Sequence, residues 1–484
     1  MMSRSLLTTA LAAMVALAAC SPSDEQKTDA REVHDAVMEG LADPFVSDVI
    51  GVEEKHLSQD FWTAAAGADK SASGVLLSAA EIDAMNGESV AGDPTMFDLA
   101  SFPESLSGEE VKARLRSISN VPSYPRIYMN GRTLTEADFA AYEATLAEDQ
   151  IADEVPLRFA LAVRRTPMRT YPTMDRIFSE GASNFDIDRF QESTLFPADV
   201  VVILHESADG QWYLVQSHNY IAWVQKRDLA IGPKEAILDY KAAENFLVVT
   251  GAKVFTVYNP EMSAVSEVQL DMGVRLPLDR PAELAHNLYG QNPYLSHMVV
   301  LPTRLDDGSL EFRHALIQRN QDVRIGSYLP YTEENIIRQA FKFLGERYGW
   351  GHSYNGRDCT GFVSEVYRSM GIILPRNSGD QGKSTIGINS RFEKDTPRED
   401  KHKLLRAANV GDLVYIPGHV MMILGQYEGN PYVIHDVTGL NYLGENGEIY
   451  KGTLNGVSIT PLLTLQSSLE RTYVDAVYNV KSIR

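Results

Sequence analysis

Two residue types in this chain could pair a nucleophile with a base: cysteine, of which there are two, and histidine, of which there are eleven. Cys359 stands in Arg357-Asp358-Cys359-Thr360-Gly361, just ahead of an apolar helical face at Phe362, Val363, Val366, Tyr367 and Met370 that Gly371 stops. That spacing predicts a helix with the cysteine at or beside its N-terminus, where the helix dipole and unpaired amides favour the nucleophilic thiolate. Two later histidines lie inside apolar runs: His419 in Gly418-His419-Val420-Met421-Met422 and His435 in Tyr432-Val433-Ile434-His435-Asp436, with the turn-forming Glu428-Gly429-Asn430 between them. Such a hairpin sets one imidazole beside the other. His419 would take the thiol proton and His435 would orient His419. A structural thiol with two satisfied core histidines has the same pattern, and spacing alone leaves that alternative open.

The elements around these residues fall into blocks. Thr332 caps an expected helix with an apolar face at Ile336, Ile337, Ala340, Phe341 and Leu344, and helix and strand alternate from there to Arg484, the texture of an α+β domain over 331–484. Before it, 154–238 and 239–330 each read as short strands of the size of a small β-barrel, with Asp209-Gly210 as a hairpin turn in the first. Residues 36–153 read as mainly helical, with capping boxes at Ser107/Glu110 and Thr135/Asp138, and carry no catalytic constellation. The expected fold is therefore multi-domain: a helical segment, two small barrels, then an α+β domain.

The chain has 484 residues, and 44 Lys plus Arg against 65 Asp plus Glu give a net charge of −21. That excess repels phosphate backbones, so no nucleic-acid partner is expected. Two cysteines exclude a disulfide-stapled scaffold and a four-thiolate zinc site, and no metal or organic cofactor is implied. At the N-terminus, Arg4 and an apolar stretch from Leu6 to Leu17 form a secretory signal over 1–19. Its end, Leu17-Ala18-Ala19-Cys20, resembles the lipobox of bacterial lipoproteins. That resemblance implies lipidation of Cys20, a polar tether over 20–35, and a periplasmic location on a membrane anchor. Ser21 in place of aspartate points to the outer membrane. The mature chain is then expected to carry one free thiol, Cys359.

Tyr348-Gly349-Trp350-Gly351, Asp358-Cys359-Thr360-Gly361, Leu374-Pro375-Arg376-Asn377-Ser378, Gly411-Asp412-Leu413 and Gly418-His419-Val420 follow one another in this order. In motif and order the segment resembles the NlpC-type family of papain-like cysteine peptidases, and the whole chain resembles members with an N-terminal stabilising domain and two bacterial SH3-type barrels. The resemblance implies a cell-wall endopeptidase acting on peptidoglycan stem peptides at the bond between γ-D-glutamate and an L-diamino acid. By position it makes Cys359 the nucleophile, His419 the base and His435 the third polar member. It also makes Tyr348, Asp358, Thr360 and Ser378 substrate contacts, with Asp358 receiving a free N-terminal amine. Tyr171, in the first barrel's long loop, is a candidate to close the cleft. Thr360 departs from the commoner serine, and His352 from a glycine. An amidase or thiol acyltransferase on the same fold, and an inactive peptidoglycan-binding lipoprotein, are the alternatives. A monomer is assumed.

Overall fold

Helix caps visible in the sequence open most of the N-terminal elements of the computed structural model, which describes residues 45–67, 74–182, 185–444 and 447–484. The signal segment, the tether and Cys20 lie outside the described residues. Helices α1 (Gln59–Gly67), α2 (Ala79–Gly92), α3 (Gly108–Ile118) and α4 (Glu136–Ala144) come first. Ser107 accepts from the Glu110 amide and Thr135 from the Asp138 amide, with the carboxylates bonding back in both boxes. This segment does not build a core of its own. Trp62 of α1 and Ile82 of α2 join the core of the C-terminal domain, whereas Val111, Leu115 and Phe139 of α3 and α4 join that of the first barrel. All of this lies in one compact unit, Val49–Arg484.

The first barrel contains β1 (Arg158–Ala162), β2 (Thr166–Arg169), β3 (Gln191–Leu195), β4 (Val200–Glu206), β5 (Trp212–Gln216), β6 (Ile221–Gln225) and β7 (Leu229–Gly232). They pair in the order β7-β1-β4-β5-β6-β2-β3, all antiparallel. Helix α5 (Lys234–Ala242) leads into a β-rich region of three small sheets: Phe246–Val249 between Arg275–Pro277 and Val323–Ile325, Lys253–Phe255 with Gln269–Asp271, and the hairpin Ser296–Arg304 with Leu310–Gln318.

The C-terminal domain opens with α6 (Glu333–Phe341), capped by the Thr332 hydroxyl, followed by α7 (Cys359–Arg368) and α8 (Ser378–Lys383). Its sheet uses β8 (Ile388–Arg391), β9 (Leu413–Ile416), β10 (His419–Tyr427), β11 (Asn430–Leu443), β12 (Ile449–Pro461) and β13 (Asn479–Ser482), in the order β8-β13-β9-β10-β11-β12. Alternation divides β10 and β11 between two cores. Val420, Met422 and Ile434 pack with Phe362 and Val366 of α7, while Met421, Ile423 and Val433 face Leu405 and Val474 behind the sheet. The β10–β11 hairpin turns on Glu428 and Gly429, both at positive φ, the two-residue turn whose twist matches its strands.

Candidate active site

The side chain before the cysteine sets the start of α7. Asp358 is extended and its Oδ1 accepts the Gly361 amide at 2.8 Å, so Cys359 becomes the first helical residue. The Cys359 amide therefore points out of the helix end without an intrahelical acceptor. The thiol is free and 8% exposed. Burial, then the Asp358 carboxylate, push it up to about 12, against the opposing pull of the Val420 amide. The expected thiolate preference is thus reversed, first because the thiol is buried and then because the Asp358 anion caps the same helix end.

The Val420 amide meets the Cys359 sulfur, and His419 is the next residue back along β10. His419 Nε2 lies 2.9 Å from His435 Nδ1, and His435 Nε2 lies 3.0 Å from Thr460 Oγ1. The β10–β11 ladder ends at Met422 opposite Ile434, and the two imidazoles meet diagonally beyond it. Thr460 reaches them from β12, where it pairs with Val433. Burial lowers His419 to about 4 and holds His435 well below the usual imidazole range. Thiol and imidazoles are therefore all neutral at pH 7. With Nε2 engaged by His435, Nδ1 is the ring nitrogen left to serve the thiol. For Nδ1 to be a base, Nε2–H must donate to His435 Nδ1 and His435 Nε2–H to Thr460, which sets one tautomer along the array.

Asp358 is held on every side. Beyond Gly361 it accepts the Gly351 amide at 3.0 Å, the Thr360 hydroxyl at 3.0 Å, and Arg376 at 2.7 and 3.2 Å. Burial opposes its charge, but Arg376 prevails and keeps it well below the usual carboxylate range. Its oxygens are saturated and already paired with a cation, contrary to the expectation that Asp358 awaits an ammonium. Thr360 Oγ1 likewise faces this cluster, accepting Arg376 at 2.6 Å. The carboxylate next along is Glu192 of β3, whose oxygens take hydroxyl donors from Thr170 and Tyr220, both at 2.5 Å, and whose backbone carbonyl accepts Arg376. It has no cationic side-chain partner among the described residues.

Tyr348 is buried, and that burial, with Cys359 and Asp358 nearby, raises its hydroxyl far above the phenol range. Ser378 starts α8, and no hydrogen bond ties its hydroxyl to the cysteine–histidine array among the described residues. Tyr171 does not reach the cleft. It is fully buried between Tyr142 and Phe190 in the barrel core, with rings 5.5 and 5.0 Å away, because its neighbour Arg169 is pinned by Asp188 and the loop folds inward. His352 also lies off the array, at positive φ and packed against Phe196.

The barrel grips the peptide that precedes the cysteine. Gln191 Nε2 donates to the Gly351 carbonyl at 2.7 Å and Trp350 Nε1 to the Gln191 carbonyl at 3.0 Å. Gly351 has φ +57, and a Cβ there would stand 2.8 Å from Gln191 Cγ, so only glycine allows that approach. Sequence reasoning assigned no role to Arg376, Thr460, Glu192 or Tyr220. Arg376 was signalled by its place in Leu374-Pro375-Arg376, whereas Thr460 and Glu192 become neighbours only through strand register and barrel docking. Asp436 was missed too: it is fully buried on the α7 side of β11 with neither oxygen hydrogen-bonded, and burial pushes it up to about 9.

A papain-like α+β domain with a cysteine at a helix start and a strand histidine pair, docked on a small barrel, defines the class. Residues 345–459 match the NlpC/P60 family and residues 176–225 an SH3 domain of the SH3b1 type, so the chain carries an NlpC/P60 domain behind an SH3b-type domain. It is 23% identical over 252 residues to the gamma-D-glutamyl-L-lysine dipeptidyl-peptidase of Bacillus cereus, across 48% of this chain and 68% of that one. To the protein of the same name in Bacillus subtilis it is 28% identical over 207 residues, across 41% of this chain and 60% of that one. The fold is also similar to the solved structure of an NlpC/P60 endopeptidase from Photobacterium damselae subsp. piscicida, with a TM-score of 0.66 and 16% identity over 86% of this chain and 95% of that one.

Proposed function

We propose that the protein is a cell-wall cysteine endopeptidase that hydrolyses the γ-D-glutamyl to L-diamino acid bond of short peptidoglycan stem peptides with a free N-terminal amine. The observation that carries this is the Thr460–His435–His419 array, which ends one residue along β10 from the Val420 amide that meets the thiol of a helix-start cysteine. As Sγ attacks the carbonyl carbon, its proton passes to His419 Nδ1 and the oxyanion turns to the Cys359 amide. Collapse breaks the C–N bond, and His419 returns the proton to the leaving amine. Water then attacks the thioester, giving a proton to His419, and the expelled sulfur regains it. The relatives' names, which specify γ-D-glutamyl-L-lysine, support the bond.

Glu192 is assigned the substrate ammonium, since Asp358 is neutralised by Arg376 and Glu192 is not. A carboxylate set for an ammonium loses its partner when the stem is still attached to sugar, which selects freed peptides. The lipobox-like Cys20 supports anchoring on the periplasmic face of the outer membrane. Metabolic labelling with an alkyne fatty acid, lost in Cys20→Ser, tests that part.

Incubation with L-Ala-γ-D-Glu-L-Lys and its diaminopimelate counterpart should release free diamino acid, and Cys359→Ala should release none. Release by Cys359→Ala would overturn the mechanism. Release of an intact peptide from a muropeptide would instead mark an amidase.

A further inference from the structure

Behind α7, on the side away from the sheet, lies a cavity of about 450 Å³. It is distinct from the thiol site: neither Cys359 nor His419 borders it. Its walls come from the N-terminal segment, the first barrel, the β-rich region and the outer face of α7. The size is that of a small-molecule site, and so is the make-up, with apolar walls such as Leu99, Leu195 and Ile373 around a few polar groups.

Those polar groups are unevenly charged. Lys241 and Arg368 converge here on a single buried carboxylate, Asp199, which holds Arg368 at 2.7 Å, while Arg275 donates to the Lys241 and Ala243 carbonyls. Asp98 also borders the cavity, but it is exposed and caps the Ala100 amide. Glu365 is committed through Oε2 to Arg357, and Arg376 to Asp358. Burial, then Arg368 and Arg275, push Lys241 down to about 8 against the pull of Asp199, and its Nζ donates to the Ala198 carbonyl at 3.1 Å. Hydrogen-bonding capacity is unused as well. The His218 ring has no hydrogen bond among the described residues, whereas the buried His352 turns Nε2 to Glu365 Oε1 at 3.3 Å.

We propose that this cavity binds a small organic monocarboxylate with an apolar body, its carboxylate at Lys241 and Arg368 and its body along Leu99, Leu195 and Ile373. The site faces the catalytic helix directly. A Cβ on Gly361 would stand 2.6 Å from His352 Nε2, so the cavity histidine rests on the helix turn that presents Cys359. An occupant therefore braces barrel and peptidase domain around that turn.

Isothermal titration of the full chain with octanoate, and with octanol as the same body without charge, tests this. Octanoate should bind one to one, and octanol at least about ten-fold more weakly. Alkylating Cys359 beforehand should leave octanoate binding unchanged, because the thiol cleft is elsewhere. Lys241→Met should weaken octanoate at least about ten-fold. Should that variant misfold, Ala100→Trp, which fills the cavity from an exposed position and removes no charge, should abolish binding. Equal affinity for octanol, loss of binding on alkylation, or full affinity in Ala100→Trp would overturn the proposal.

Discussion

A thiol at about 12 with an imidazole at about 4 is a neutral pair, which changes what the pH dependence of Cys359 reports. A preformed thiolate–imidazolium pair would give alkylation rates that level off in the acid range. Here the thiolate fraction rises tenfold per pH unit throughout, so the iodoacetamide rate should climb without a plateau from pH 5 to 9. Peptide hydrolysis behaves differently, since His419 removes the proton during attack. It needs only neutral His419, so kcat/KM should hold at neutral pH and fall as pH drops through about 4. Thr460 is the end of the same array. Thr460→Val keeps the shape but leaves His435 Nε2 unpaired, so kcat should drop roughly ten-fold with KM little changed. Equal losses in both constants would mean that Thr460 acts on binding instead.

At the scale of elements, β3 and the start of α7 make one recognition unit. The expected outcome for Glu192→Gln is a rise in KM for free tripeptide of roughly ten-fold or more, with N-acetylated tripeptide cleaved as poorly as before. Steady-state kinetics on the two peptides separates this from a folding defect, which would lower both. Much of the α7 unit was legible beforehand. Asp358 is a good N-cap, the apolar spacing after Cys359 has a helical period, and Glu428-Gly429 is a turn that holds two histidine strands in register. The recognition half was not legible, because Glu192 acquires its meaning from docking across 166 residues to Asp358. Tyr171 shows the opposite failure. A tyrosine near Arg169 in a long loop reads as available, but the buried Arg169–Asp188 pair at 2.7 Å turns the loop inward, and nothing in local spacing signals that pair.

For the whole molecule, the decisive contact is the ion cluster that joins the β-rich region to the catalytic helix. Arg357 is fully buried and donates to Glu365 at 2.9 and 2.8 Å, to Glu346 at 2.7 and 2.9 Å, to Asp271 at 2.9 Å, and to the Ala252 carbonyl. Asp271 comes from the β-rich region and Glu365 from α7. Burial and Glu365 already push Asp271 up to about 6 although Arg357 and Arg165 face it, so the cluster tolerates no loss of positive charge. Removing one partner of a buried ion pair strands the other at a cost of about 3–5 kcal/mol. In Arg357→Leu the dry Asp271 and Glu365 would lose their shared guanidinium, leaving Asp271 only Arg165 at 3.6 Å, while Glu346 at the edge keeps Lys253 at 2.8 Å. The two dry carboxylates can relieve that only by taking up protons, so the variant's folded state binds more protons than its unfolded state above about pH 4. Its stability deficit should therefore widen as pH rises. Thermal unfolding of both proteins at pH 5 and pH 8 should show Arg357→Leu further below the parent at pH 8, with protease cleavage appearing first between the β-rich region and α6. A deficit independent of pH would mean that Arg357 contributes packing alone and that another contact ties the catalytic helix to the region before it.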